Sequence, residues 1–249
     1  MNYSQIAVID FETTGLNPQT DYPIEVAVDI YKKSPLGYIK TKRYQQLIKL
    51  PEGVEVPQYI TDLTGLTTEK LNTEGIESYI VITFLNDMFT DDTLFVAHNA
   101  NFDLGFLAKH FRIEVDNFLC TRTVEVLLNP HMSASLKDAY KRYYPESTGE
   151  QTHRAQDDIE MTYELLCGQL QRLSEGEVDF FINKMVNMPD RDIKYYPPSA
   201  TTLDFTINYV SRTSYDALQN QLWEAQQRIA ELESSAPAEP TEPTIEVTE

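Results

Sequence analysis

QIAVIDFETTG, residues 5–15, is the stretch that decides the fold of this chain. Its first part, Gln5–Ile9, is a short apolar and β-branched run, which predicts a strand buried on both faces. Asp10 and Glu12 follow at the carboxyl end of that strand, and strand periodicity places residues two apart on the same side. Two carboxylates there repel each other unless a cation lies between them, and purely oxygen ligands suit Mg²⁺ or Mn²⁺. Capping of nearby amides explains the pair equally well.

The sequence around this strand predicts a mixed sheet. Two more strands, Glu25–Tyr31 and Tyr38–Ile48, are expected to form an antiparallel meander with the first. Further along, short strands alternate with helical patterns, which is typical of an α/β domain covering about residues 1–173. The predicted strands in this second part are 93–97 and 118–120, and the predicted helices are 77–88, 101–112, 123–128, 134–143 and 154–173.

The composition is that of a globular protein with a large excess of acidic residues. The 249 residues allow one large domain plus an appendage, or two small domains. With 20 basic and 39 acidic residues, the formal net charge is −19, which argues against a protein that coats nucleic acid through a broad basic surface. An enzyme acting on a chain end is still allowed, because bound divalent cations would offset a carboxylate cluster and meet the phosphate.

The two cysteines and the hydropathy pattern bear on the cellular location. Cys120 and Cys167 have neither metal-type spacing nor the pattern of a disulfide framework, so they are expected to be thiols in a reducing compartment. The first residues lack a basic segment followed by a signal-type apolar run. No apolar stretch approaches membrane-spanning length. We therefore expect a cytoplasmic protein without a membrane partner.

Two further acidic stretches complete a chemical pattern. Asp103 in AHNANFDLGFL (97–107) falls in the first turn of a predicted helix, where an acidic residue also complements the helix dipole. His153 and Asp158 lie in THRAQDDIEMTYELL (152–166) around the start of the longest helix, where a capping histidine and a solvated acidic face are the ordinary interpretations. Together with the first pair they supply four carboxylates and a histidine, the natural base at neutral pH. This set matches two-metal phosphodiester cleavage.

The order and context of these stretches resemble the DEDDh family of 3′–5′ exonucleases, whose best-known members are the proofreading epsilon subunits of bacterial DNA polymerase III. The three family motifs are matched by VIDFETTGLNP (8–18), AHNANFDLGFL (97–107) and HRAQDD (153–158). Two lesser stretches, ITDLTGLT (60–67) and CTRT (120–123), fit as well. The resemblance covers about residues 5–173 and implies a ribonuclease-H-like fold, in which a mixed five-stranded sheet is flanked by helices.

Residue by residue, the resemblance also implies roles in the site. It implies that four carboxylates hold two Mg²⁺ or Mn²⁺ ions and that His153 activates the water. Thr13, with nearby backbone amides, would contact the terminal nucleotide, and Leu63 would press on its base. Asp157 would break the family spacing, so Asp158 is the expected ligand. The implied metal ligands are Asp10, Glu12, Asp103 and Asp158.

The resemblance implies hydrolysis of the 3′-terminal phosphodiester of DNA with release of nucleoside 5′-monophosphates, in proofreading or DNA trimming during DNA replication. An RNA-trimming 3′–5′ exoribonuclease would use the same site, since discrimination at the 2′-hydroxyl depends on contacts that a sequence does not reveal. A catalytically idle binding or assembly module is the third alternative, although all five motif positions are filled.

The chain after residue 173 has no counterpart in the motifs. Residues 174–214 are expected to be an irregular linker, because Asn187–Thr202 is rich in Pro, Asp and Tyr. Apolar residues at three-four spacing predict a heptad-patterned helix over 215–233, and the Pro- and Glu-rich residues 234–249 predict a disordered acidic tail. The apolar side of 215–232 must be buried, and self-association, a polymerase partner and packing against the nuclease domain are the alternatives. The seam positions are Tyr215, Leu218, Leu222, Ala225, Ile229 and Leu232.

Overall fold

The structure is a computed structural model that describes residues 3–147, 153–188, 192–204 and 227–228. The chain divides into two compact units, and the first, Met1–Thr206, contains every helix and strand described below. A mixed sheet of five strands lies at its centre in the order β3-β2-β1-β4-β5. The five-stranded α/β fold expected from the sequence is confirmed. The strands are β1 (Gln5–Thr13), β2 (Pro23–Ser34), β3 (Gly37–Leu47), β4 (Thr93–Ala97) and β5 (Phe118–Cys120).

β1 is the middle strand, as its apolar run predicts. It pairs antiparallel with β2 and parallel with β4. Ile6 and Val8 enter the hydrophobic core on one face of the sheet, while Ala7, Ile9 and Phe11 enter the core on the other. Alternation along the strand therefore buries both faces, and β1 serves as a rigid base for the polar residues at its carboxyl end.

Helices cover both faces of this sheet. The five predicted helices are present, and none of their ends shifts by more than three residues. Two short helices between residues 58 and 74 were not predicted. The helices described up to residue 170 are α1 (Gln58–Thr64), α2 (Thr68–Glu74), α3 (Ser78–Met88), α4 (Ala100–Phe111), α5 (Thr121–Leu128), α6 (Leu136–Tyr143) and α7 (Ala155–Leu170).

The parallel pairing of β1 and β4 decides where the acidic residues meet. Both strands end at the same edge of the sheet, and α4 begins three residues after β4. Asn99 makes the turn between them with a φ of 76°, in the left-handed region that asparagine tolerates better than most residues. The first turn of α4, and Asp103 with it, is thereby directed back to the end of β1.

The prediction of an irregular linker over 174–214 is wrong in its first part. Ser174 caps α8 (Glu175–Phe181) through a capping box with Glu177. Val178 and Phe181, three residues apart on one side of α8, are buried in the core, and this packing stabilises a helix too short to form by itself. Two short strands, β6 (Lys184–Asn187) and β7 (Thr201–Asp204), then pair in parallel.

Most of the remaining C-terminal part lies outside the described residues. Residues 192–200 lie outside helices and strands, as expected for that stretch. Of the predicted heptad helix only Gln227 and Arg228 are described, and they are helical. The tail, 234–249, lies outside the described residues. In the described portion of the chain, no helix has the length and apolar character needed to cross a membrane.

Candidate active site

Three carboxylates from two elements meet at the end of β1. Asp10 and Glu12 lie on the same side of the strand, and Asp158 comes from the first turn of α7. One carboxylate oxygen from each of the three lies within 4.8 Å of the others. This places three carboxyl groups, two of them from one strand, close enough to share a cation.

Asp103 adds a fourth carboxylate through α4. Its side chain is buried, and Oδ1 accepts a hydrogen bond from the backbone N–H of Phe11 at 3.1 Å. The other oxygen, Oδ2, is also buried and has no hydrogen-bond partner among the described residues. A buried carboxylate oxygen is normally hydrogen-bonded or bound to a metal. The donor set therefore fits a divalent cation.

The four carboxylates line one cavity of about 420 Å³. All seven residues expected in the site, including His153, Thr13 and Leu63, face it, whereas Asp157 is not among its lining residues. Thr13 is mostly buried, and its hydroxyl donates a 2.6 Å hydrogen bond to the carbonyl of Gly15, so it shapes the turn after β1. Leu63 is about half exposed at the rim.

Burial and mutual repulsion disfavour ionisation of this cluster. Burial raises the pKa of Asp10 and of Asp103 well above the ordinary value, and neighbouring carboxylates raise both further. Burial is also the largest cause that raises the pKa of Glu12, to about 9, with Asp158 next. These shifts describe the site without cations. A bound divalent cation would reverse them by favouring the ionised forms.

Glu25 is a fifth carboxylate, fully buried beside the cluster, but it has its own cation. It faces Glu12 across the β1–β2 pairing. Arg154 donates two hydrogen bonds to it, from Nε to Oε2 at 3.0 Å and from Nη2 to Oε1 at 2.6 Å. Burial alone would raise the pKa of Glu25, yet hydrogen bonds from Arg154 and Gln45 outweigh it and leave that pKa below the ordinary value. Glu25 is thus ionised and satisfied without a metal.

His153 lies just before α7, at the edge of the described segment that begins with it. Its φ of 52° lies in the left-handed region, which few residues other than glycine and asparagine adopt. The side chain is partly exposed and lines the cavity. The imidazole therefore faces the same space as the four carboxylates, where a histidine can accept a proton.

Several cavity residues were not singled out from the sequence. His98 lies between two elements, with Nδ1 3.0 Å from Thr121 Oγ1 and Nε2 2.9 Å from the carbonyl of Ala134. A carbonyl only accepts, so Nε2 is the donor. Arg122, in the CTRT stretch, is nearly buried and brings a guanidinium to the cavity lining. The sequence around His98 and Arg122 does not indicate that either residue lines the cavity, because both positions depend on contacts between elements that are distant in the chain.

The rim of the cavity is apolar and exposed. Leu16 and Tyr59 lie there with Leu63, and each exposes about half or more of its side chain. Tyr59 on α1 donates a 3.3 Å hydrogen bond to the carbonyl of Thr14, which ties α1 to the turn after β1. Exposed aromatic and aliphatic side chains beside a cavity provide surfaces on which flat apolar groups can stack.

Comparisons with known proteins agree with this geometry. The RNase_T family model, described as "Exonuclease", matches residues 7–166. A DNA polymerase III subunit epsilon from Rickettsia prowazekii is 28% identical over 192 residues, covering 74% of this chain and 79% of that protein. A DNA polymerase III PolC-type from Caldanaerobacter subterraneus is 28% identical over 212 residues, covering 80% of this chain. The chain spans only 14% of the length of that polymerase.

Solved structures share the fold. Escherichia coli exonuclease I in complex with a dA16 oligonucleotide superposes with a TM-score of 0.55 at 16% identity, covering 71% of this chain and 42% of that one. Exonuclease X in complex with 5′ overhanging duplex DNA gives a TM-score of 0.53 at 19% identity, covering 71% of this chain and 98% of that one. At these identities the likeness concerns the fold alone.

Proposed function

Because this chain belongs to the exonuclease family, we propose that it is a metal-dependent 3′–5′ exonuclease that hydrolyses the terminal phosphodiester of DNA and releases nucleoside 5′-monophosphates. The observation that carries the proposal is the convergence of Asp10, Glu12 and Asp158 within 4.8 Å, with the buried Asp103 beside them. The epsilon and exonuclease relatives support DNA as the substrate.

We propose that these four carboxylates hold two Mg²⁺ or Mn²⁺ ions. All the available ligand atoms are carboxylate oxygens, which hard divalent cations prefer. When bound, the two ions would supply Lewis acidity to the attacking and leaving oxygens of an in-line displacement. The carboxylates themselves would fix the ions on β1, α4 and α7, three elements joined through the core. Asp103 Oδ2 would thereby gain the partner that the described protein atoms do not give it.

His153 is the proposed general base. Its imidazole would take a proton from the attacking water while the water oxygen bonds to phosphorus and the bond from phosphorus to the 3′-oxygen breaks. The departing oxygen gains a proton and becomes the new 3′-hydroxyl of the shortened strand. The rim of Leu16, Tyr59 and Leu63 would receive the terminal base, and Thr13 would shape the turn whose amides approach the nucleotide.

The relatives also bear on the biological setting. The epsilon and PolC-type proteins are named as parts of DNA polymerase III, so we propose proofreading or DNA trimming in association with a polymerase. Residues 215–232 are the candidate for that contact or for self-association. Both cysteines are free thiols, in keeping with a cytoplasmic location.

The test uses 5′-labelled DNA and RNA oligonucleotides of the same sequence, incubated with the full chain in Mg²⁺, in Mn²⁺ or in EDTA. We expect a ladder that shortens from the 3′ end of DNA with either metal and an intact strand in EDTA. Release of 5′-monophosphates identifies which P–O bond is cleaved. Faster degradation of RNA would assign the exoribonuclease activity instead. Intact DNA and RNA in both metals would overturn the proposal in favour of an idle module.

A further inference from the structure

β2 carries two buried carboxylates that are each bound by an arginine. Glu25 and Asp29 are four residues apart in this strand and therefore lie on the same face. Arg154 binds Glu25 through two hydrogen bonds, as described above, and Arg43 binds Asp29 likewise, from Nε to Oδ1 at 2.7 Å and from Nη2 to Oδ2 at 2.6 Å. Both carboxylates are fully buried. The two arginine contacts are thus closely matched in geometry and burial, and Asp29 differs in having a second cation, Lys40 Nζ, at 2.8 Å from Oδ2.

The two pairs differ in their distance from the active site. Arg154 lies between His153 and Ala155, the first residue of α7, and the N–H of Ala155 also points to Glu25 Oε2 at 3.4 Å. Glu25 itself faces Glu12 across the β1–β2 pairing. Asp29 lies further along β2 and faces Val8. Its partner Arg43 forms an ion pair with Glu160, which lies more than one turn after the start of α7. Only the first pair adjoins residues of the cavity.

We propose that the Glu25–Arg154 pair positions the catalytic histidine and the first turn of α7 against the carboxylates of β1. The proposal rests on the proposed exonuclease function and names residues that act through others. Arg154 is held by its side chain to the strand next to β1, so the backbone on either side of it has little freedom. That backbone carries His153 directly before it and Asp158 four residues after it.

The conformation of His153 supports a need for this anchor. A φ of 52° for a residue other than glycine is strained and persists only where the surroundings impose it. Arg154 is the neighbour whose side chain is fixed by two hydrogen bonds to a fully buried acceptor. The planar guanidinium fork also fixes direction, which a lysine ammonium would not do.

Charge gives a second reason for the pair. Glu25 is the residue of β2 closest in register to Glu12, so an ionised Glu25 without a cation would add to the repulsion within the site. Arg154 neutralises it. The pair therefore fixes a geometry and at the same time keeps a fifth negative charge from competing for the cations that the four proposed ligands attract.

The experiment compares Glu25→Gln with Asp29→Asn in the full chain. Each change removes one buried charge from one arginine pair on the same face of β2. Steady-state hydrolysis of a DNA oligonucleotide at saturating Mn²⁺ gives kcat and KM, and thermal unfolding gives Tm. Both variants are expected to lower Tm, because each removes a buried negative charge to which an arginine donates two hydrogen bonds. Rates are measured at a temperature at which both variants are folded.

We expect Glu25→Gln to lower kcat about 10–100-fold with KM little changed, as is common when a partner that orients a site residue is lost. Asp29→Asn should keep the kcat of the wild type. If Glu25→Gln does not fold, Arg154→Lys takes its place, since it keeps the charge but loses the fork, and the same loss of kcat is expected.

Two results would overturn the proposal. One is a wild-type kcat in the folded Glu25→Gln or Arg154→Lys variant. The other is an equal loss of kcat in Asp29→Asn, which would show a general effect of stability. Failure of the proposed exonuclease function gives a different result, because the wild type itself then leaves DNA intact in Mn²⁺. In that case the positioning role fails as well.

Discussion

Asp103 and Phe11 are joined by a hydrogen bond from the backbone N–H of Phe11 to Asp103 Oδ1 at 3.1 Å. Phe11 lies between Asp10 and Glu12 in β1, so one oxygen of Asp103 fixes α4 to the strand that carries two of the other three carboxylates. The second oxygen is buried and has no partner among the described residues. One side chain therefore combines a structural contact with a position available to a cation.

The first prediction separates these two functions of Asp103. Asp103→Asn can still accept the hydrogen bond from Phe11 through its amide oxygen, but it loses the negative charge. We expect a loss of kcat of at least about 100-fold, since metal ligation supplies several kcal/mol of transition-state stabilisation. In EDTA the variant should unfold at a higher temperature than the wild type, because asparagine replaces a carboxyl group whose pKa burial raises in the folded state. Activity close to that of the wild type would contradict the metal role.

The second prediction compares two adjacent acidic residues. Asp158 is buried and lies with Asp10 and Glu12, whereas Asp157 does not line the cavity. Asp158→Asn should abolish measurable turnover, and Asp157→Asn should keep most of it. The comparison is matched, because each variant removes one charge from the first turn of α7. If Asp157→Asn were the inactive variant, the ligand would be the neighbouring residue and the placement of α7 in the structure would be wrong.

The third prediction concerns pH and stability without metal. Burial raises the pKa of Glu12 to about 9 from an ordinary 4.5, and it raises those of Asp10 and Asp103 as well. A carboxyl whose pKa is higher in the folded state binds more protons there, so the free energy of unfolding falls as pH rises between the two values. In EDTA, Tm should therefore fall between about pH 6 and about pH 8.5.

The same linkage predicts the effect of cations on Tm. Mg²⁺ or Mn²⁺ binds the ionised carboxylates, so either ion should raise Tm more at the higher pH than at the lower pH. The variant Asp103→Asn serves as the control, because it carries one fewer raised carboxyl and should show a shallower fall of Tm in EDTA. A Tm that stays constant or rises with pH in EDTA would contradict the description of the cluster.

The fourth prediction concerns Arg122, the guanidinium in the cavity lining. A nearly buried cation beside a proposed phosphate site is expected to contact a phosphate of the bound strand. Arg122→Leu should raise KM for single-stranded DNA. The slope of log KM against log salt concentration should become shallower by about the amount that one phosphate contact contributes. Lys109→Ala is the matched control, because it removes one positive charge from the exposed far end of α4. An equal increase of KM in both variants would assign the effect to net charge.

The sequence predicted the central elements of this fold because their signals are local. β1 has an unbroken apolar run, and the apolar spacing of α7 extends over four turns, so each pattern identifies its element without neighbours. The helices α1 and α2 are seven residues each, too short for a periodic pattern. The helix α8 has only two buried apolar residues, Val178 and Phe181, and its stability depends on a core that a sequence does not display.

Only part of the site could be predicted from the sequence, for a related reason. Taken individually, Asp103 resembles a residue that complements a helix dipole and Asp158 resembles part of a solvated helix face, and the resemblance to a family singled them out. The pair of Glu25 with Arg154 joins residues 129 positions apart, and neither has a local feature that indicates it. The contacts of His98 and the position of Arg122 likewise exist only after β4, β5 and α5 have packed.

The central claim is that the four carboxylates form a two-cation site, and a calorimetric titration of the EDTA-treated full chain with Mn²⁺ tests it most directly. The account predicts two ions bound per chain in the concentration range that supports DNA hydrolysis. It also predicts weaker binding or fewer ions in Asp158→Asn, with the stoichiometry of Asp157→Asn equal to that of the wild type. Absence of Mn²⁺ binding in that range, or unchanged binding in Asp158→Asn, would contradict it.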